Sequence, residues 1–85
     1  MEQTVEGWTN VVREGQVMLE RVFAFKTFGE AMQFATRVAE VADAQDHHPE
    51  IVVSWGRCIV RWWSHDEGGV SARDISLAEA TNRLY

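Results

Sequence analysis

The apolar positions of this chain change period along its length, and each change marks an element. From Gly7 to Arg13 the run GWTNVVR reads as a strand, and EGQ at 14–16 follows it, where Gly15 can supply a turn. A second strand, VMLERVFAF, comes next. Thr27 then opens a helix with Glu30 three residues later, the capping-box spacing in which a hydroxyl and a carboxylate each satisfy free backbone N–H groups. Phe28, Ala31, Met32, Ala35, Val38, Ala39 and Ala42 recur at helical spacing and form a stripe that must pack on something. Past Pro49, the runs EIVVSW and CIVRWWSH flank Gly56 and Arg57, and glycine at the first central position suits a two-residue type II′ hairpin. HDEGG reads as a loop, and Ser71 with Asp74 repeats the helix-start spacing ahead of the last helix. The order β-β-α-β-β-α predicts an α+β fold over residues 1–85: a four-stranded antiparallel sheet with two helices packed on one face.

The hairpin carries the candidate chemistry. With Gly56 and Arg57 central, Trp55 faces Cys58, Val53 faces Val60 and, continuing the ladder, His48 faces His65. Directly opposed residues have Cβ atoms about 4.5–5.5 Å apart, near enough for two rings to address one small ligand. Alternation divides the side chains: His48, Glu50, Val52, Ser54, Ile59, Arg61, Trp63 and His65 share one face. Ile51, Val53, Trp55, Cys58, Val60, Trp62 and Ser64 share the other, which is apolar enough to be the core face. Pro49 biases His48 away from helical geometry, so His47 and His48 mark a corner from helix to strand.

Composition narrows the function classes. A net charge of −5 argues against direct nucleic-acid binding, which rests on Lys and Arg neutralising phosphates. The single cysteine, Cys58, excludes an intramolecular disulfide and a cysteine-based zinc framework. No run approaches membrane-spanning length and MEQTVEGWTN lacks the marks of a signal peptide, so a cytoplasmic protein without membrane association is expected. Four tryptophans and 46% hydrophobic residues are a large apolar load for 85 residues, which makes self-association an expectation.

Adjacent histidines without helical H-x-x-x-H spacing are poor chelators, so no metal site is expected. Surface polarity explains any single histidine; two facing histidines beside a third and Trp63 favour an acid/base site, because imidazole gains and loses protons near neutral pH. No activated nucleophile accompanies them, since Ser54 and Ser64 lack a glycine elbow and Cys58 heads for the core. EGG at 67–69 is too short for a nucleotide-phosphate loop. From the residues alone Asp74 is a helix-start carboxylate and Arg61 and Arg73 are solvated charges. Trp63 is the one tryptophan on the histidine face that can lie against a flat ring.

Asp43, His47, His48, Pro49, Trp55, His65 and Asp74, at this spacing and with no gap, resemble the motif of the pterin-4a-carbinolamine dehydratases, a family also known as a dimerisation cofactor of a homeodomain transcription factor. RVFAFKTFGEAMQFATRVAEVA is similar to that family's second strand and long helix. The resemblance implies dehydration of 4a-hydroxytetrahydropterins to quinonoid dihydropterins, the recycling of the cofactor of aromatic amino acid hydroxylases, with no cofactor or metal of its own. It implies His47 and His65 as acids, and His48 as a pterin contact that shares the base role. Asp74 and Arg73 would complete the pocket, with Trp63 and Glu50 as further substrate contacts. It also implies dimers through sheet edges and tetramers through helix packing, with a hydroxylase-pathway protein as a possible partner. The chain departs from the pattern in having six residues before Gly7, where most relatives carry an additional helix, and in Ile51 where tryptophan is frequent. Ile51 points coreward by parity. Two other readings stay open: a non-catalytic interaction or co-regulator module, and action on another pterin, as in molybdenum-cofactor metabolism.

Overall fold

The computed structural model describes residues 5–85, so the part of the N-terminal stretch formed by residues 1–4 lies outside it. Its elements are β1 (Thr9–Arg13), β2 (Gln16–Ala24), α1 (Phe28–Gln45), β3 (Glu50–Ser54), β4 (Arg57–Trp62), a single 3-10 turn (His65–Glu67) and α2 (Ala72–Leu84). The strands form one antiparallel sheet in the order β1-β2-β4-β3. One face of it is covered: α1 lies against β3 and β4, α2 against β2 and β4, and the helices touch each other. The expected α+β arrangement is what the chain adopts. No helix among the described residues is long and apolar enough to cross a membrane.

Local chemistry accounts for the boundaries. The first turn is tighter than EGQ suggests: Glu14 and Gly15 both have positive φ, the type I′ pattern whose twist matches that of the flanking strands, and Gln16 already belongs to β2. At the head of α1, Thr27 Oγ1 accepts from the Glu30 N–H at 3.1 Å, while the Glu30 carboxylate accepts from the Lys26 N–H, one residue before the cap.

The second hairpin corrects the expected register. Ser54 pairs with Arg57 and Val53 with Cys58, so the central residues are Trp55 and Gly56. Gly56 has φ 79° at the second central position, the requirement of a type II turn, not of type II′. Trp55, expected on the core face, sits in the turn and is 78% exposed. This register sets Ile51 against Val60, Val53 against Cys58 and Glu50 against Arg61, two apolar pairs and an ion pair that the other register would break. Both registers have the same parity, so the division into faces survives: Cys58, Val60 and Trp62 are fully buried, and Ile51 packs against the core.

On the uncovered face, Arg61 lies between two carboxylates on neighbouring strands, with Nε donating to Glu20 at 2.6 Å and Nη1 to Glu50 at 2.7 Å. The hydrogen bond to Glu20 does most to hold this nearly buried guanidinium protonated beyond its ordinary range, against the opposing effect of burial. It is therefore not the solvated charge expected from its residue type.

The helical stripe is also rotated. Ala31, Ala35, Val38 and Ala42 are buried as expected, but Ala39 is exposed, Phe28 and Met32 are half-exposed, and the stripe centres on Phe34. The Phe34 ring lies 4.6 Å from Phe23 and 5.3 Å from Phe25 by centroids, in the middle of the core. Phe34→Ala is expected to lower the unfolding free energy by about 3–5 kcal/mol in urea denaturation. Phe28→Ala should change it by about 0.5 kcal/mol or less; equal losses would mean that α1 packs through its Phe28 side.

Candidate active site

The site is built where α1 ends, β4 leaves the sheet and α2 begins. Asp46, past the last residue of α1, adopts a left-handed conformation (φ 50°), with its N–H on the Ala42 and Asp43 carbonyls, and this turns the chain back toward the sheet. His47 follows with its ring stacked on Trp62, centroids 5.9 Å apart and planes at 11°. Its Nε2 lies 2.6 Å from Asp74 Oδ1, and Arg73 Nη2 donates to its Nδ1 at 2.7 Å. A guanidinium only donates, so Nδ1 carries a lone pair and Nε2 carries the proton given to Asp74. Both ring nitrogens are engaged.

Asp74 has no exposed surface. As the third residue of α2 it reaches back to the Ser71 N–H (2.9 Å) and hydroxyl (3.1 Å), the capping role expected of it. Its Oδ2 also accepts from Ser64 Oγ at 2.7 Å, and its other oxygen holds His47. The residue is therefore both helix cap and anchor of the histidine. Ser64 ties the carboxylate to the segment that carries His65. The spacing signalled the cap but not its second use, and nothing in the sequence signalled Ser64.

The other two histidines are exposed. His48 Nε2 lies 3.0 Å from Asp43 Oδ1; a carboxylate accepts, so the proton sits on Nε2 and Nδ1 is free. His65 Nδ1 lies 2.7 Å from the side-chain amide nitrogen of Gln16, which leaves Nε2 free. The expected His48–His65 ladder pair does not form: β3 begins at Glu50, β4 ends at Trp62, and an isolated bridge between Ser64 and Gly69 turns the chain away. His65 instead meets β2. Among the described residues no two histidine rings are hydrogen-bonded to each other; Ser64 and Asp74 join the segments that carry them.

Of the expected substrate contacts, Arg73 and Asp74 are at His47, whereas Glu50 and Trp63 line a depression of about 460 Å³ on the uncovered sheet face, with Arg13, Arg61, Val12 and Met18. A second depression, of about 420 Å³, is lined by Phe25, Phe34, Lys26, Arg37 and Tyr85 at the opposite end of α1 and holds no histidine. Size is a poor guide here, because the groups able to move protons are elsewhere. Cys58 is fully buried, and burial pushes its thiol up to about 11, so it is no nucleophile at neutral pH.

Residues 1–84 match the family model described as Pterin 4 alpha carbinolamine dehydratase. The chain belongs to that family. It is 42% identical over 85 residues to a protein of Chlorobium limicola, covering 100% of this chain and 75% of the relative. It is 42% identical over 81 residues to one of Marinobacter nauticus, covering 95% and 73%. Both are provisionally named pterin-4-alpha-carbinolamine dehydratases. Among solved structures, the transcriptional coactivator/pterin dehydratase from Brucella melitensis superposes with a TM-score of 0.82 at 35% identity, over 93% of this chain and 82% of that one. A pterin dehydratase-like protein described as a RuBisCO assembly factor in the alpha-carboxysome shares the fold, with a TM-score of 0.75 at 16% identity over 93% of this chain and 89% of that one.

In this dehydratase-family chain the buried anchor and the buried thiol each make a measurable demand. Asp74→Ala strands the Ser71 N–H and the His47 Nε2–H and leaves Ser64 Oγ only its contact with Ser71 Oγ; at about 1–3 kcal/mol for each stranded donor it is expected to cost about 2–5 kcal/mol of stability, and a loss within error of zero would mean the site opens to water. Because burial raises the Cys58 thiol from 9.0 to about 11, the unfolded chain loses that proton first. Its stabilising contribution is complete below pH 9.0 and is lost as pH rises toward about 11. A thiol reagent at pH 8 should label the protein only in denaturant, and rapid labelling of the native state would contradict this burial.

Proposed function

We propose that the protein dehydrates a 4a-hydroxytetrahydropterin, with 4a-hydroxytetrahydrobiopterin as the substrate of recycling, by histidine acid/base catalysis. The observation that carries this reading is the contrast among the three histidines. His47 is held on both ring nitrogens, while His48 and His65 are each held on one and present the other to solvent. A ring held on one nitrogen has a defined orientation and a free site for a proton.

The reaction asks for no more than that. An acid protonates the hydroxyl on the carbinolamine carbon, the carbon–oxygen bond breaks as a neighbouring ring nitrogen donates its lone pair, and a base removes a ring-nitrogen proton. One water leaves and no electrons are exchanged. His48 suits the base: its Nδ1 lone pair is free, and the Asp43 carboxylate at Nε2 fixes the orientation of the ring. His65, as the imidazolium, then delivers its Nε2 proton to the departing hydroxyl and is left neutral with its remaining proton on Nδ1. Arg73, exposed at the start of α2, stays on His47 Nδ1 and offers the rest of its guanidinium to the substrate; Glu50 and Trp63, each two residues from an exposed histidine, are the contacts on the side of the uncovered sheet face.

Stopped-flow ultraviolet decay of freshly generated 4a-hydroxytetrahydrobiopterin tests the proposal. Wild-type protein should accelerate the decay, and His48→Ala and His65→Ala should each lose about 10²–10⁴-fold of that acceleration, the usual worth of a positioned acid or base. Asp43→Ala should act in the same direction as His48→Ala and more weakly. If wild-type protein leaves the spontaneous rate unchanged, the dehydratase reading falls and a non-catalytic interaction module takes its place.

A further inference from the structure

The one buried side-chain polar atom without a partner among the described residues is Oε1 of Gln16, whose amide nitrogen touches His65 Nδ1. An unsatisfied buried group calls for an explanation. Chain position explains how the two residues meet: Leu19 pairs with Trp62 at the end of the β2–β4 ladder, and three residues beyond it on either chain segment lie Gln16, which opens β2, and His65, which opens the turn after β4. The first residue of a central strand thereby becomes the partner of a ring carried on the turn after β4.

A primary amide suits this ring for a specific reason. It offers an NH₂ donor and a carbonyl acceptor at nearly the same place, and half a turn about its last bond exchanges them. With Nδ1 bare, the NH₂ donates to it, which is the arrangement present. When the ring takes a second proton, Nδ1–H needs an acceptor. The idle Oε1 supplies one. In the resting arrangement the buried orphan is a carbonyl, which tolerates being unpaired better than an NH₂ with two hydrogens.

We propose that Gln16 is a positioning residue that keeps His65 oriented whether or not Nδ1 carries a proton, its amide donating to the bare nitrogen and, after a half turn, accepting from Nδ1–H. Gln16 touches no reacting atom. Its effect on catalysis rests on the dehydratase reading above, whereas its effect on the ring does not.

The test therefore reads the ring first, by long-range ¹H–¹⁵N correlation of His65 in the wild type, Gln16→Glu and Gln16→Leu without substrate. The neutral wild-type ring should carry its proton on Nε2. Gln16→Glu, which only accepts, should move that proton to Nδ1, and Gln16→Leu should give a mixture. A merely structural role would not move a tautomer. The proposal is overturned if the neutral wild-type ring carries the proton on Nδ1, or if Gln16→Glu leaves the tautomer as in the wild type. In the dehydration assay Gln16→Leu should lower kcat by about 10²-fold with KM within about twofold. An unchanged kcat in an active enzyme overturns the positioning role. A wild type without activity sinks the dehydratase reading, while the ¹⁵N result still decides for or against Gln16's control of the ring.

Discussion

The arrangement of the site depends on one fully buried carboxylate. Asp74 accepts from the Ser71 N–H and hydroxyl, from the Ser64 hydroxyl and from His47, and so binds together the start of α2, the exit from β4 and the corner after α1. Removing an ionised group from water costs several kcal/mol unless its lone pairs are filled. Here the compensation comes from groups on three separate segments, so the carboxylate is satisfied only when all three are in place. The same contacts that cap a helix thereby define where the histidine-bearing segments stand.

Around this anchor the molecule divides its histidines by exposure. His47 is stacked on Trp62 and closed on both nitrogens, which suits alignment. His48 and His65 keep one partner each, a carboxylate for the first and an amide for the second. That difference has chemical content: a carboxylate only accepts and so fixes which ring nitrogen carries the proton, whereas an amide can donate or accept. Two imidazoles with the same intrinsic chemistry are set apart by their partners.

Much of this was legible in the sequence, because it follows from periodicity and capping. The element order, the division of strand faces and the coreward Ile51, Val60 and Trp62 all rest on a two-residue repeat that a shifted turn leaves intact. Partner identity is more fragile. Moving the central turn residues from Gly56 and Arg57 to Trp55 and Gly56 exposed one tryptophan and removed the His48–His65 pairing. The gain that selects this turn, Glu50 beside Arg61, becomes visible only once β2 brings Glu20 to the other side of the guanidinium. The rotated stripe of α1 has a similar cause: Phe34 wins the core because Phe23 and Phe25 of the β2 segment meet it there.

The contacts that sequence reasoning could not reach share a property. Ser64 to Asp74, Gln16 to His65 and Arg73 to His47 each join residues from different elements through short polar side chains or the tip of a long one. Such contacts have no period and depend on where elements end. Acid/base work needs this kind of placement, because a proton donor must be exposed enough to meet its substrate and constrained enough to face it. A hydrophobic core supplies constraint without access, and a loop supplies access without constraint. His48, next to the His47 that the buried carboxylate holds, and His65, tied to the neighbouring strand, combine the two. Here that combination stands where the strands of the sheet end.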